Sequence, residues 1–388
     1  MSTFKDNFLP FALPEIGEEE IADVVDCLRS GWITTGPRAK KFEDDFTSFL
    51  GGSLESVAVN SATAGLHLAL EAIGIKSGDE VITTTHTFTA TAEVIRYFGA
   101  IPVLVDIDRS TLNIDIDSIE KKITSKTKAI MPVHFGGLAV DIPAIMSLAK
   151  KYNLRVIEDA AHALPASFNG TTVGSFQTDA TIFSFYANKT MTTGEGGMLV
   201  TRDQKIAERA RVMRLHGMDR NVFDRFTGKT PGWYYEVIAP GYKYNMTDIA
   251  AAIGIQQLKR VKIFQQKRAQ IAETYNSLLS DLPVTLPPMP LPGDTHSWHL
   301  YVIQLDSNLK VDRNQFIEKM FESGIGCGVH YIPLHEHPYW NKVFGFQKEM
   351  FPVSQDIYES SVSIPIYSKM SEDQTHQVIH SIKSILVD

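Results

Sequence analysis

The sequence predicts an α/β fold, a mostly parallel sheet flanked by helices, with a smaller α/β domain toward the C-terminus. Three observations lead there. Short apolar or β-branched runs alternate with helix-length segments through the first half of the chain, the signature of βαβ units. A proline-rich stretch at residues 282–296 sets off a second, shorter alternation behind it. The composition, 44% hydrophobic and 21% charged over 388 residues, is that of a globular chain. Such a length has room for roughly two to three domains.

Residues 56–60 (SVAVN) read as a strand and Ala64–Ile73 as the helix after it. Asp79–Thr83 is the next strand and Thr87–Phe98 the next helix. The runs Ile101–Ile107 and Ala129–Val133 follow, then the helical Ile142–Lys151. Leu154–Ile157, Ala180–Phe185 and Met198–Thr201 complete this set of strands. Residues 205–261 are helix-rich but interrupted by the polar, aromatic stretch Gly217–Tyr244. A long helix is predicted over Thr247–Leu279, with Lys259, Arg260 and Lys267 on its outer face. Pro283, Pro287, Pro288, Pro290 and Pro292 then argue against any regular element, so this stretch reads as a connector. Beyond it come the strand-like Trp298–Leu305, the helical Arg313–Ser323 and the segment Gly328–Tyr331. The large domain is placed at residues 1–255, N-terminal segment included, and the small one at 256–388. No internal repeat is visible.

The net charge of −8 argues against a nucleic-acid footprint, which needs a clustered basic face. The opening MSTFKDNFLPFALPEIGEEE has neither the basic start nor the apolar core of a signal peptide. No stretch approaches the roughly 18 apolar residues of a membrane span. Cys27 and Cys327 lie far apart in sequence and suggest no disulfide framework. A cytoplasmic location is the expectation. His330, His335 and His337 are spaced irregularly by Pro333 and Pro338, with no cysteine pair to complete a set, so no metal is expected.

Ligands of open α/β sheets gather beyond the carboxyl ends of the strands, so residues just after strands come first. The sharpest such feature is FSFYANKTMTTGEGG, residues 183–197. A strand ends at Ser184, Lys189 follows, and a glycine-rich turn leads to another strand. A serine hydroxyl can donate to phosphate, and a lysine in a pocket loses its proton readily and becomes an imine-forming nucleophile. Alone, Lys189 reads more readily as a surface lysine in a loop. In VIEDAAH, residues 156–162, Asp159 ends an apolar strand. A carboxylate there can keep a pyridine nitrogen protonated, and His162 can support it; a helix N-cap aspartate is the plainer alternative. In NSATAG, residues 60–65, Ser61, Ala62 and Thr63 fall where a strand turns into a helix. Free N–H groups and the helix dipole favour a phosphate there, or Ser61 or Thr63 simply caps the helix. Phe88, after the next strand, could stack on a planar ring or belong to the core. The joint occurrence at successive strand ends, in the order cradle, aromatic, aspartate, lysine, points to pyridoxal 5′-phosphate. Dinucleotide, P-loop and zinc-protease signatures are missing from the sequence.

These residues resemble those of the DegT/DnrJ/StrS sugar aminotransferases, especially the branch that includes UDP-4-amino-4-deoxy-L-arabinose aminotransferase. The likeness runs nearly the whole chain: SGWITTGP at 30–37, NSATAGLHLAL, PVHFGG, VIEDAAHA, FSFYANKTMTTGEGG, PGYKYNMTDIAAAI, HSWHLYVI and GIGCGVHYIPLH. It implies a fold-type I transferase whose large domain carries a mostly parallel, seven-stranded mixed sheet. By the same likeness Lys189 forms the internal aldimine, Asp159 pairs with the pyridine nitrogen, Phe88 stacks on the ring and His162 lies beside it. Ala62, Thr63 and Ser184 cradle the phosphate, and Asn245 reaches the phosphate of a neighbour across a homodimer with shared sites. Trp32, Thr35 and His330 fall on the substrate side.

A sugar-dehydratase branch of the family has histidine where the Schiff-base lysine normally stands; Lys189 fits the transaminating branch. Phe88 stands where some relatives have tryptophan, and either ring can stack. The resemblance implies transfer of an amino group from glutamate, leaving 2-oxoglutarate, to the keto carbon of a nucleotide-linked sugar, expected to be C4 of a UDP sugar. A pyridoxal-phosphate dehydratase or lyase, and a non-enzymatic regulatory protein that binds the cofactor, are the rival readings. Neither the sugar nor the pathway (outer-membrane lipid, surface polysaccharide or glycosylated metabolite) is legible in the sequence.

Overall fold

A computed structural model of the chain describes residues 8–219 and 234–387. Its strands begin with β1 (Glu55–Val59), β2 (Glu80–Thr84), β3 (Ile101–Val105) and β4 (Thr127–Met131). β5 (Arg155–Asp159), β6 (Ala180–Ser184) and β7 (Gly197–Thr201) complete one sheet in the order β1-β7-β6-β5-β4-β2-β3. Only β7 runs against its neighbours β1 and β6; the other pairs are parallel. The carboxyl ends of β1 to β6 therefore share one edge.

The strands lack an alternating polar face because helices cover both sides. Side chains of successive residues serve opposite layers. Val156, Phe183 and Met198 pack with Phe42 and Phe46 of the Pro37–Leu50 helix. Ile157, Ile182 and Leu199 pack instead with Leu66 and Ala69 of the Ala62–Ala72 helix and with Ala207 and Ala210 of Gln204–Met213.

Asp248–Leu279 is a 32-residue helix capped by the Thr247 hydroxyl, which accepts from the Ala250 amide at 3.2 Å. Its first half (Ala251, Ile255, Leu258, Val261) belongs to the large core. Its second half (Ile271, Ala272, Tyr275, Leu279) belongs to the core of the small domain. The division expected between residues 255 and 256 thus falls inside a helix that both units share. The small domain adds a three-stranded antiparallel sheet of Val284–Thr285, Tyr301–Leu305 and Ser361–Ile364, covered by Arg313–Glu322 and Glu372–Val387.

Three expectations are corrected. The proline-rich connector does hold a short strand, Val284–Thr285, at a sheet edge between prolines, where missing ladder donors are tolerated. The helix expected from Thr87 starts at Ala90, because the Thr87 and Thr91 hydroxyls bond each other at 2.9 Å and hold Thr87–Phe88 as a loop. The strand expected from Trp298 starts at Tyr301, because the Ser297 and Leu300 amides bond Gly137 and Gly136 across the domains, each at 3.1 Å. Of the interruption expected at 217–244, residues 220–233 lie outside the described residues. No helix of the described residues is long and apolar enough to cross a membrane.

One buried ion pair ties the sheet's first edge together. Arg214 donates to Glu43 at 2.5 Å and to the Ala58 carbonyl at 2.7 Å, while Glu43 accepts from the Ala58 amide at 2.9 Å. Removing one partner strands a buried charge. Glu43→Ala is therefore expected to destabilise the protein by about 3–5 kcal/mol. The double change Glu43→Leu/Arg214→Met should cost far less, as chemical denaturation would show.

Candidate active site

Beyond the shared strand edge lies a cavity of about 380 Å³. Ser61–Thr63 follow β1, Thr87 and Phe88 follow β2, Val133 follows β4, Asp159 ends β5, Ser184 ends β6, and Lys189 comes from the turn into β7. His162, Tyr186, Asn188, His330 and Tyr331 complete much of the wall. Of the residues expected in the site, Ala62, Thr63, Phe88, Asp159, His162, Ser184, Lys189 and His330 all line this one cavity.

Burial pushes the Lys189 amine down to about 8, and the nearby Asp159 carboxylate opposes the shift. Only the unprotonated amine attacks a carbonyl, so its reaction with a simple aldehyde should rise with pH through about 8 instead of the ordinary 10.5. A pH series of imine formation on cofactor-free protein checks this. A midpoint near 10.5 would mean that the amine is not buried as described.

Asp159 is 6% exposed. The Thr91 hydroxyl donates to one of its oxygens at 2.8 Å and the Ala161 amide to the other at 3.1 Å. The chain leaves Asp159 through a turn and not a helix, so the aspartate is not an N-cap. Burial pushes its carboxyl up, the Thr91 and Ala161 bonds and the charge of Lys189 pulling the other way.

The Ala62–Ala72 helix points its N-terminus at the cavity. Ser61 does act as a cap, its hydroxyl accepting from the Ala64 amide at 3.1 Å. The Ala62 and Thr63 amides, lacking partners within the helix, are left for an anion. Gly197 brings β7 against this end: a Cβ there would stand 2.8 Å from the Ala62 nitrogen and 2.9 Å from the Phe183 carbonyl oxygen. Only glycine permits that approach.

His162 is buried, its Nδ1 accepting from the Gly136 amide at 3.2 Å and its Nε2 2.8 Å from the Tyr331 hydroxyl. Burial keeps the ring neutral, so the proton sits on Nε2 and is donated to Tyr331. Burial also holds the Tyr331 phenol protonated, which leaves its own hydrogen free to point into the cavity. His330 bonds Ser363 through Nδ1 at 2.9 Å and stacks on Phe11; burial brings it down to about 4. Phe88 is 59% exposed at the cavity mouth, 6.0 Å from the Tyr331 ring.

Trp32, Thr35 and Asn245 gather elsewhere. Asn245 donates to the Thr35 hydroxyl, which donates to the Met246 carbonyl, and Trp32 donates to the Thr35 carbonyl. Asp248 seals the patch by accepting from the Gly36, Arg38 and Ala39 amides. None of the three lines the cavity of its own chain.

Sequence reasoning missed Thr91, Tyr331 and His299. Tyr331 sat inside the singled-out GVHYIPLH motif, beside the histidine that drew attention. His299 sat in HSWHLYVI without a role. Thr91, a threonine one helical turn past Phe88, carried no signal.

The set suits pyridoxal phosphate: an aldehyde-reactive amine, a buried carboxylate, an anion-binding helix end and an aromatic cover around a space of ligand size. Comparison with known proteins agrees. The pyridoxal-phosphate form of Spr1654 from Streptococcus pneumoniae matches with a TM-score of 0.89 at 32% identity, covering 98% of this chain and 99% of that one. PseC of Helicobacter pylori, an aminotransferase involved in the biosynthesis of pseudoaminic acid, matches with a TM-score of 0.90 at 30% identity, over 98% and 99%. SpsC of Bacillus subtilis strain 168, a spore coat polysaccharide biosynthesis protein, is 45% identical over 384 residues, 98% of each chain. Fold and cofactor are those of the pyridoxal-phosphate aminotransferases. Within that class the chain belongs to the DegT/DnrJ/EryC1/StrS aminotransferase family, which matches residues 14–383.

Proposed function

We propose that this sugar aminotransferase takes its amino group from glutamate and places it on the keto carbon, C4, of a nucleotide-linked sugar whose nucleotide is UDP. The single observation that carries the chemistry is the placement of the Lys189 amine and the buried Asp159 carboxylate on one cavity whose wall includes a helix N-terminus. Bound pyridoxal phosphate supplies an electron sink for the carbanion left when a substrate carbon gives up its proton. Asp159 holds a proton on the ring nitrogen, the condition for that sink. The Ala62 and Thr63 amides, with Ser184, hold the phosphate, and Phe88 covers the ring. Lys189 anchors the cofactor through its amine and, once released, carries protons as general acid and base.

We read the Trp32, Thr35 and Asn245 patch as the part of the site offered to a second copy of the chain, because it lies outside its own cavity. Tyr331 and His330 face the sugar side. The likeness to SpsC supports a product destined for a surface polysaccharide.

Incubation of the protein with glutamate and a panel of nucleotide keto sugars, followed by mass analysis, tests the reading. One 2-oxoglutarate formed per aminated UDP sugar is the expected result. Loss of water from the sugar without 2-oxoglutarate would identify a dehydratase instead, and failure with every UDP sugar would remove the UDP assignment.

A further inference from the structure

We propose that His299 is the positioning residue for the Lys189 amine, the partner that keeps this nitrogen within reach of the reacting carbon whenever it is released from the cofactor. The inference rests on the reading of Lys189 as anchor and proton carrier, and adds a residue which that reading does not require.

His299 comes from the small domain and reaches across to the large one. Its Nε2 lies 3.4 Å from Lys189 Nζ, and the residue is 5% exposed. The segment that carries it is fixed from both sides. The Ser297 and Leu300 amides donate to Gly137 and Gly136, each at 3.1 Å. Arg268 donates to the Trp298 carbonyl at 3.1 Å and the Ile366 carbonyl at 2.7 Å. A ring so anchored has little freedom to follow a mobile partner, so it is the lysine that comes to the ring.

The rest of the ring has no other polar task. Nδ1 is buried and has no partner among the described residues. The neighbouring His162 ring lies 4.3 Å away, but both its nitrogens are spent on Gly136 and Tyr331. An imidazole with one nitrogen unsatisfied is costly to bury. Its one polar engagement is the lysine. Burial keeps His299 neutral. A neutral ring can accept N–H from the ammonium form through Nε2 or, as the other tautomer, donate to the free amine. It therefore engages Lys189 in both protonation states, the ammonium more tightly, because a charged donor makes the stronger hydrogen bond. The other titratable or charged groups facing the pair are Asp159, His134 and His162 from the large domain, His330 and Tyr331 from the 328–331 segment, and Arg268 behind His299.

The test compares His299→Phe and His299→Gln with Lys189→Ala in the holoenzyme, and tracks the aldehyde reaction of Lys189 in cofactor-free protein. His299→Phe keeps the ring volume and removes the acceptor. It should lower kcat by about 10- to 100-fold with KM nearly unchanged, the scale of a misplaced catalytic group. It should also move the pH midpoint of the aldehyde reaction downward, because the ammonium loses an acceptor. His299→Gln, whose amide oxygen can stand where Nε2 stood, should restore the midpoint and most of kcat. Wild-type kcat and midpoint in His299→Phe, or equal losses in both variants, would overturn the proposal. Should His299→Phe melt early, the ¹⁵N shift of His299 Nε2 decides: it must differ between wild type and Lys189→Ala, and an unchanged shift overturns the proposal. Turnover by Lys189→Ala would instead remove the underlying reading.

Discussion

Lys189→Ala is expected to give a folded protein that still takes up pyridoxal phosphate but turns over at least about 10⁴-fold more slowly, since nucleophile and proton carrier are lost together. The fold should survive because Lys189 forms part of a turn at the cavity, with its backbone amide bonded to the Tyr186 carbonyl at 3.0 Å and not dependent on the side chain. The cradle of Ala62, Thr63 and Ser184, the Asp159 carboxylate and the Phe88 cover are all untouched. Cofactor should therefore bind without the visible absorbance that the lysine linkage gives, and a thermal melt should match the wild type. Steady-state rates with glutamate and a sugar acceptor, beside a spectrum of the loaded protein, check both halves. A variant that works at the wild-type rate would mean that the chemistry lies elsewhere.

The sheet was largely legible because parallel strands buried on both faces must be mainly apolar runs, and β1, β6 and β7 are such runs, buried almost throughout. The strand ends were legible only jointly: singly, a hydroxyl or an aspartate there reads as a helix cap, as Ser61 in fact is, but hydroxyls, an aspartate and a lysine at successive strand ends converge on one site. What could not be read was the long-range pairing that decides where an element starts. Trp298 looks like a strand residue until Ser297 and Leu300 give their amides to Gly137 and Gly136, more than a hundred positions earlier. The start of the helix after β2 turned instead on a local choice, the pairing of the Thr87 and Thr91 hydroxyls. Nor could the sequence show the tautomer of His162, which is set by the Gly136 amide bonded to Nδ1. Tyr331 and His299 acquire meaning only through such contacts between the domains. Trp32, Thr35 and Asn245 were picked out by resemblance alone, and their shared patch brings two motifs distant in sequence, SGWITTGP and GYKYN, together in space.

Asp159→Asn should separate cofactor binding from catalysis. The amide is isosteric with the carboxylate: its oxygen can accept from the Ala161 amide as Oδ1 does now, and its nitrogen can donate to the Thr91 hydroxyl. Shape is kept and charge is lost. A buried carboxylate raised by desolvation gains from a cation placed opposite, and by linkage it holds the proton on that cation by the same amount. Without it the ring nitrogen tends to the neutral form and accepts electrons poorly, so turnover should fall by about 10²–10⁴-fold. Retention should suffer far less, because the phosphate anchors at Ala62, Thr63 and Ser184 and the lysine remain. The charge change carries a second signature at the other end of the site. The Asp159 carboxylate is what raises the Lys189 amine against the effect of burial, so its removal should move the aldehyde-reaction midpoint below about 8. Falling turnover together with that downward shift ties both groups to one cavity field. Normal catalysis in the asparagine variant, or a midpoint that stays where it was, would take Asp159 out of the mechanism.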